Sequence, residues 1–403
     1  MLVHPAMESD PMNHIRALLL LSLLAAFPPM STDMYLPALP TLQILWHADT
    51  ATINLTLILF FVCFSAALLI YGPISDSFGR RPLLLVGIGV YMAASVLCGL
   101  ADSVHSLILF RIFQALGAAS AASLTMAIAK DLFETNERQQ LLAYLGVIVA
   151  LAPMLAPMLG GLIIKWLSWQ WVFFIQGLWG LIAFGGVLRM PEPLKIKVPA
   201  TINQILGRYL RLLKNGRYLV MTLLISMCMT PLFAFIAGSP SIYMSHFRLD
   251  PQRFGLYFGA NALAMMCGSF LCGWLTRRVK GWLLLRIGFA GMVIGGCGIG
   301  FIGHLGPPAF AAAMFTVTIC LGLTRPMSNN LVLEQVEQDV GTAAALLMFV
   351  HFVAGAAGMA LISQPWSDRI GIIAALSAGC GLTILVGLQV MAFYWKSAFK
   401  AVQ

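Results

Sequence analysis

The chain contains twelve stretches that are each long and apolar enough to cross a lipid bilayer. Runs of about 20 apolar residues recur along its whole length, and a transmembrane helix needs about that many. Of the 403 residues, 60% are hydrophobic and only 10% are charged, whereas a soluble domain carries about 25% charged residues. The sequence therefore predicts an all-α integral membrane protein. We place its spans at 14–36, 52–74, 82–101, 105–129, 138–164, 168–189, 218–243, 252–276, 282–303, 308–333, 341–364 and 370–394.

The first apolar run begins within 20 residues of Met1, where a signal peptide would also begin. No small-residue cleavage pattern follows it, so we interpret it as a retained first span. The residues before it are polar and irregular, and Met7 and Met12 are alternative starting positions to Met1.

The basic excess of the chain, a formal net charge of +9, is distributed very unevenly. Apart from Arg111 and Arg325, the lysines and arginines lie in the even-numbered loops and the termini, and the odd-numbered loops hold only Lys165, Arg248, Arg253 and Arg369. Positive charge concentrates on the cytoplasmic side of membrane proteins. We therefore expect a multi-pass protein with both termini in the cytoplasm, membrane lipid as a partner, and no nucleic-acid partner.

No enzyme or metal signature is present in the sequence. All eight cysteines lie inside apolar spans without CxxC or histidine-paired spacing, which is typical of small buried hydrophobic residues. There is no phosphate-binding loop, no GxSxG, no HExxH and no carboxylate pair suited to acid–base hydrolysis. We expect a protein that is not an enzyme and that needs neither a metal nor an organic cofactor.

The widest gap between spans divides the chain into two halves of six helices. We predict a cytoplasmic tail, an N-terminal six-helix bundle, a cytoplasmic linker, a C-terminal six-helix bundle and a second cytoplasmic tail, at 1–13, 14–189, 190–217, 218–394 and 395–403. Within the linker, Thr201 to Lys214 has apolar residues on one helical face and Arg208, Arg211 and Lys214 elsewhere. That pattern predicts an amphipathic helix on the inner leaflet.

The loop after the second span reads Gly72-Pro-Ile-Ser-Asp-Ser-Phe-Gly-Arg-Arg81 and fits the pattern G-x-x-x-D-x-x-G-R-R. A tight turn there needs the backbone freedom of Gly79, and Asp76 can pair with Arg80 or Arg81. The alternative interpretation is simple topogenic charge beside a helix. The pattern resembles the signature of the major facilitator superfamily, in which this loop holds one bundle against the other and biases alternating access. A weaker copy, Gly273-x-x-x-Arg277-Arg278, follows the eighth span.

Further motifs resemble the drug:proton antiporters of the bicyclomycin- and chloramphenicol-resistance family. They are Thr32-Asp-Met-Tyr-Leu-Pro-Ala-Leu-Pro40, Arg111-x-x-Gln114, Ala152-Pro-Met-Leu-Ala-Pro-Met-Leu-Gly-Gly161, Ser168-Trp-Gln-Trp-Val-Phe-Phe174 and Gly238-Ser-Pro240.

The stretch in the fifth span departs from the antiporter pattern G-x-x-x-G-P-x-x-G-G, because Ala152 and Ala156 replace two glycines. We assign Pro153, Pro157, Gly160 and Gly161 to this motif. The last three match the pattern, so the helix can still bend and pack closely against a neighbour.

Asp33 and Arg111 are charges inside apolar spans. Asp33 lies about one turn from the outer end of the first span, and Arg111 lies about 9 Å into the fourth at 1.5 Å per residue. A charge at mid-membrane costs about 2.5 kcal/mol or more, so we expect the two residues to share a pocket. The functional hypothesis is proton coupling, which the family resemblance also implies for both residues. The alternative is a structural salt bridge.

Four polar residues within the spans are candidates for substrate binding: Tyr35, Gln114, Asn261 and Arg325. Arg325 lies in Gly322-Leu-Thr-Arg-Pro326 without an obvious acidic partner at its depth, so it either binds a polar or anionic group or extends to the cytoplasmic side. His351 either titrates near neutrality or is simply hydrogen-bonded.

We therefore predict two six-helix bundles around a central cavity, with the proton gradient as the energy source. The predicted function is proton-coupled efflux of small amphipathic compounds, such as chloramphenicol- or bicyclomycin-like antibiotics, across the bacterial inner membrane. The partners are the small-molecule substrate and protons, and we expect the protein to act as a monomer. Two alternatives remain open: the same fold carrying a metabolite such as a purine, nucleoside, amino acid or sugar, and a passive channel or facilitator.

Overall fold

A computed structural model describes residues 11–133, 135–194, 196–197 and 201–395. Residues 1–10 of the predicted tail at 1–13, residues 396–403 of the predicted tail at 395–403, and Lys195 of the linker lie outside the described residues. The described chain is helical, with sixteen α-helices: α1 Pro11–Ala25, α2 Phe27–Thr32, α3 Leu39–Leu45, α4 Thr50–Phe78, α5 Arg80–Gly99, α6 Val104–Leu132, α7 Thr135–Trp166, α8 Gln170–Arg189, α9 Ile202–Lys214, α10 Gly216–Ser226, α11 Met229–Pro240, α12 Pro251–Leu275, α13 Gly281–Ile302, α14 Pro307–Leu333, α15 Val340–Ile362 and α16 Arg369–Tyr394.

Aspartate caps set the starts of several long helices. The side chains of Asp49, Asp250 and Asp368 each accept a hydrogen bond from a backbone N–H in the first turn of the helix that follows. Such caps satisfy donors that have no partner within the helix. The Thr52 hydroxyl and backbone N–H hold the pKa of Asp49 below its ordinary value. Between the capped ends, large apolar side chains face outward, as a lipid environment requires.

Among the described residues, eleven helical segments are long and apolar enough to span a membrane, and a bent helix pair makes up to twelve. The predicted spans agree with these helices to within about four residues, except for the first. That span does not end at residue 36: its two helical parts, Ile15–Ala25 and Phe27–Leu45, meet at a bend of 42°. Prolines 28, 29, 37 and 40 interrupt regular hydrogen bonding there. Asp33 therefore lies at an interruption in the middle of the span, and not one turn from its end.

The helices form two bundles, with α1–α8 in the first and α10–α16 in the second. Small residues let helices approach closely within each bundle. A Cβ on Gly117 would lie 2.6 Å from the backbone nitrogen of Tyr91, and α12 and α14 meet at Gly268 and Gly322. The bundles contact each other mainly through α7 with α12 and α4 with α15. We call the end of the molecule that carries Gly79 and α9 the basic side, and the other end the opposite side.

The predicted amphipathic helix is present as α9 and touches both bundles. The Tyr209 hydroxyl donates to the carbonyl oxygen of Leu69 in α4 at 2.8 Å. Arg211 forms an ion pair with Asp339, just before α15, at 2.8 Å, and Arg208 lies 3.7 Å from the same carboxylate. Leu206, Leu210 and Leu213 remain exposed, so α9 combines contacts to protein with an apolar outer face.

Candidate functional site: a cavity between the bundles

A cavity of about 650 Å³ lies between the two bundles. The first span, α4, α7, α11, α12, α14 and α15 contribute its walls, which are largely apolar and aromatic. Its volume lies within the range of small-molecule sites, about 300–1,000 Å³. The predicted central cavity is therefore present.

Contacts between the bundles close the cavity on the opposite side. The Asn54 amide donates to the Ser363 hydroxyl at 2.8 Å, and Arg369 donates to the Thr50 hydroxyl at 3.0 Å. On the lining helices α7 and α12, Gly146 and Phe270 lie in the halves nearer the basic side. The cavity consequently extends toward the basic side.

Asp33 lines this cavity from the interruption in the first span. It is 6% exposed, and its Oδ1 accepts a hydrogen bond from the Thr32 hydroxyl at 3.0 Å. Among the described residues no cation lies within 4.0 Å of its carboxylate, so the expected ion pair with Arg111 is not formed. The physical reason is that the guanidinium of Arg111 donates its hydrogen bonds to backbone and amide oxygens instead.

Arg111 is fully buried inside the first bundle and does not line the cavity, contrary to the prediction. Its Nη1 donates to the Ser31 carbonyl oxygen and to Gln114 Oε1, both at 2.7 Å. The Ser31 carbonyl is available because the Tyr35 N–H bonds to Thr32 instead. The guanidinium also lies over the ring of Phe60, 4.3 Å from its centroid, a favourable cation–π geometry. Arg111 thus supports the interruption that carries Asp33.

Gln114 and Tyr35 also belong to the interior of the first bundle, so neither is the cavity-lining residue that the sequence suggested. The Gln114 amide donates to Ser95 and to Gln176, each at 2.8 Å. Gln176 in turn donates to the Met30 carbonyl oxygen at 2.9 Å, a second support of the interrupted first span. The Tyr35 hydroxyl lies 3.2 Å from that of Thr56. Tyr35, Gln114 and Gln176 thus find their partners inside the first bundle, which explains why they turn away from the cavity.

Asn261, Arg325 and His351 do line the cavity, all from the second bundle. Asn261 Oδ1 lies 2.9 Å from the Thr318 hydroxyl. His351 is held at both ring nitrogens, by Ser226 at 2.9 Å and Asn329 at 3.2 Å. The hydrogen-bonded interpretation of His351 is therefore the one that its geometry favours.

Aromatic residues that sequence reasoning did not single out join the bundles at the cavity wall. The ring of Phe61 lies 4.8 Å from that of Phe233 and 5.7 Å from that of Phe352, so one residue of the first bundle touches two of the second. The chain has 25 phenylalanines in uniformly apolar spans. Without a polar periodicity, no pattern identifies these three as cavity residues.

In the loop after the second span, Asp76 pairs with one of the two arginines that the spacing offered. Arg80 pairs with Asp76 at 2.7 Å and with Asp131 at 2.9 Å. Arg81 donates to the carbonyl oxygen of Leu188 at 2.7 Å. The carboxylate of Glu192, a residue that no sequence motif indicated, accepts hydrogen bonds from the backbone N–H groups of Arg80 and Arg81 at 2.8 and 3.1 Å. These partners all belong to the first half of the chain.

Gly79 has a φ of +106°, where side chains are strained, and a Cβ there would lie 2.8 Å from Glu192 Oε2. Replacing Gly79 by alanine is expected to destabilise the protein by about 1–3 kcal/mol. Thermal unfolding in detergent micelles measures this as a lower midpoint temperature. Gly89→Ala in the adjoining helix α5 is the control, since its Cβ meets nothing within 4 Å. Equal midpoints for both variants would contradict the assigned strain.

The antiporter-like stretch of α7 packs against the first span and against the start of α12. A Cβ on Gly160 would collide with the carbonyl oxygen of Met34, and one on Gly161 would lie 2.5 Å from that of Pro251. Gly255 of α12 also lies close to Pro157, with its Cβ position 3.0 Å from the proline carbonyl oxygen. Pro153 lies nearer the basic side and lines the cavity. Gly160 thus lets α7 pack against the first span of its own bundle, and Gly161 and Gly255 let α7 and α12 cross closely between the bundles.

Comparison with known proteins agrees with this architecture. The model of the Major Facilitator Superfamily matches residues 21–359. The chain is 30% identical to the MFS-type transporter YdgK of Bacillus subtilis, covering 92% of this chain and 94% of that protein. It is 28% identical to a bicyclomycin resistance protein homolog of Haemophilus influenzae, covering 94% and 96%. It is 29% identical to a chloramphenicol resistance protein of Pseudomonas aeruginosa, covering 86% and 83%.

Solved structures show the same fold at low sequence identity. The crystal structure of a D-xylose–proton symporter superposes with a TM-score of 0.76 at 15% identity, covering 96% of this chain and 98% of that one. Because the family model covers most of the chain, the protein is a multi-pass membrane transporter rather than an enzyme. It belongs to the major facilitator superfamily, and the predicted resemblance to the bicyclomycin- and chloramphenicol-resistance proteins is confirmed.

Proposed function

We propose that the protein exports small amphipathic molecules, of the chloramphenicol or bicyclomycin kind, across the bacterial inner membrane in exchange for protons. The observation that carries this proposal is Asp33, the one acid among the described residues that line the cavity between the bundles. The names of the resistance proteins similar to this chain support the direction of transport and the substrate class.

The basic side is the cytoplasmic side in this proposal, because lysine and arginine concentrate in cytoplasmic loops. Both termini, the linker at 190–217 and helix α9 then lie at the inner leaflet, between the bundles at 14–189 and 218–394. The cavity is correspondingly open toward the cytoplasm, ready to receive a molecule that is to be exported. One chain forms the whole cavity, so the protein acts as a monomer.

Asp33 couples the proton to transport because an ionised carboxylate at membrane depth costs about 2.5–3.5 kcal/mol. When the cavity faces outward, a proton binds and removes the charge. When it faces inward, the carboxylate meets cytoplasmic water and the incoming substrate, and the proton leaves. Arg111 positions the interruption that carries Asp33 without pairing with it. The loop from Gly72 to Arg81 controls the switch between the two states.

Everted membrane vesicles test this function directly. A proton gradient is established with the cytoplasmic face outward, and a panel of amphipathic antibiotics and of metabolites is added one at a time. If the protein exchanges its substrate for protons, a transported compound dissipates the gradient. If it accepts amphipathic compounds broadly, chemically unrelated ones compete with one another for transport. Narrow competition confined to one metabolite would replace this proposal by metabolite transport. Substrate flux that leaves the gradient unchanged would indicate a passive facilitator.

A further inference from the structure

We infer that the transported molecule joins a group with neighbouring oxygen acceptors, such as a carboxylate or nitro group, to an apolar or aromatic body. The acceptor group binds Arg325, and the body lies against the phenylalanines of the same cavity. This inference rests on the proposed function of the cavity as the transport site, and it specifies which amphipathic molecules enter it.

The position of Arg325 follows from the local sequence. It lies eight residues before the end of α14, about 12 Å from the basic side at 1.5 Å per residue. Pro326 follows it and has no N–H, so the Gly322 carbonyl loses its helical partner. The Ser269 hydroxyl of α12 donates to that carbonyl at 3.3 Å instead. Helix α14 therefore stays packed on α12 while Arg325 lines the cavity.

The guanidinium of Arg325 has no hydrogen-bond or ion-pair partner among the described residues. The cavity walls of the second bundle carry no acid in the described part of the chain, and His351 already has partners at both nitrogens. A charged side chain within a membrane span normally finds a partner or lines a substrate pathway. A guanidinium presents donors in a planar fork that two adjacent oxygens fit best. The missing partner is thus supplied by the transported molecule.

The apolar part of the molecule has a defined place in the same cavity. Phe233 and Phe352 pack with their ring centroids 5.9 Å apart, and Phe352 directly follows His351 in α15. Phe235 and Phe258 stack at 5.6 Å on another part of the wall. Flat aromatic surfaces of this kind favour an aromatic or otherwise apolar body through burial and ring contacts.

Charge also sets what the cavity disfavours. A cationic compound bound near Arg325 would meet a like charge, and the walls of the second bundle carry no acid in the described part of the chain that could compensate it. Like charges at close range in such a site are strongly unfavourable. The part of the cavity that holds Arg325 therefore disfavours a cation, whereas Asp33, which releases its proton to the cytoplasm in the proposed cycle, belongs to the wall of the first bundle.

Direct binding to the purified full-length protein in lipid nanodiscs tests this inference. The probes share one ring system and differ only in the polar group: naphthalene-2-carboxylate, naphthalene-2-carboxamide and naphthalene-2-methylammonium. Calorimetry on the wild-type protein is expected to give about tenfold or more tighter binding of the carboxylate than of the ammonium compound, since charge-assisted hydrogen bonds are strong. Equal affinities, or a preference for the ammonium compound, would overturn the inference without any variant.

Arg325→Gln is expected to remove about tenfold or more of the carboxylate affinity and to leave the ammonium compound unchanged or improved. Arg325→Lys restores part of the carboxylate affinity and serves as the second variant if the glutamine protein does not fold. Arg253→Gln, an exposed arginine outside the cavity, is the matched control. Carboxylate preference that persists in folded Arg325→Gln or Arg325→Lys at the wild-type level contradicts the assignment to Arg325.

The same probes separate this inference from the proposed function. If the carboxylate binds through Arg325 but moves no protons in proteoliposomes, antiport is wrong and the ligand assignment stands. If proton exchange occurs with the ammonium compound alone, antiport stands and the ligand assignment is wrong.

Discussion

Asp33→Asn is expected to abolish substrate-induced proton movement in everted vesicles while substrate binding is retained. Asparagine has nearly the same shape and still accepts the hydrogen bond that the Thr32 hydroxyl donates at 3.0 Å. It cannot exchange a proton at physiological pH, so the cavity loses its one acid among the described lining residues. We expect addition of a transported antibiotic to leave the proton gradient at the level of vesicles without the protein.

Asp102→Asn is the matched control for that experiment. Asp102 precedes α6 on the opposite side, outside the cavity, and accepts a hydrogen bond from the Ser106 hydroxyl at 3.0 Å. That hydrogen bond holds the pKa of Asp102 below its ordinary value, so this residue stays ionised and does not cycle. The control variant should transport like the wild type. Gradient-driven transport that survives in Asp33→Asn would remove Asp33 from the coupling mechanism.

Gly255→Val is expected to open the contact between the bundles on the opposite side and to stop transport. A Cβ at Gly255 would lie 2.9 Å from the Cα of Met158 and 3.0 Å from the Pro157 carbonyl oxygen. Both neighbours are backbone atoms that cannot move aside without moving α7, so the helices must separate. The cavity can then no longer be closed on that side. We expect transport below about a tenth of the wild-type rate, which corresponds to an increase of about 1.4 kcal/mol in the activation free energy.

Spin labels at positions 46 and 366, in a background without the eight native cysteines, would report the separation of the bundles. The distance between the labels should increase in Gly255→Val. Gly273→Val on the same helix is the control, because a Cβ there meets nothing within 4 Å. If the distance and the transport rate are unchanged in Gly255→Val, close packing of α12 on α7 is not needed to close the cavity.

The second expectation depends on how α7 packs against its neighbours, which the motifs alone did not specify. The stretch that includes Pro157, Gly160 and Gly161 predicted close packing, and the structure shows the partners: the backbone of Met34 and of Pro251. The side chains of Met34 and Pro251 take no part in these contacts, which involve backbone atoms only. A backbone contact leaves no trace in the partner's sequence, so only the three-dimensional arrangement identifies it.

The charged residues show where prediction from sequence reached its limit. Spacing limited the partner of Asp76 to Arg80 or Arg81 beside a turn at Gly79, because these residues are close neighbours in the chain, and the structure shows Arg80. The pairing of Asp33 with Arg111 was wrong. It assumed a regular first helix, whereas prolines interrupt that helix and free carbonyl oxygens compete for the guanidinium.

The sequence by itself determined that the chain crosses a membrane many times, where the spans after the first lie, and the superfamily, since hydrophobic runs and a local turn motif depend only on neighbouring residues. The tertiary structure decided which of the polar residues singled out in the sequence reach the cavity: Asp33, Asn261, Arg325 and His351 do, whereas Tyr35, Gln114 and Arg111 do not. In a helix that is apolar nearly all round, no periodicity marks the inner face. The direction in which a side chain points is then fixed by packing between distant helices.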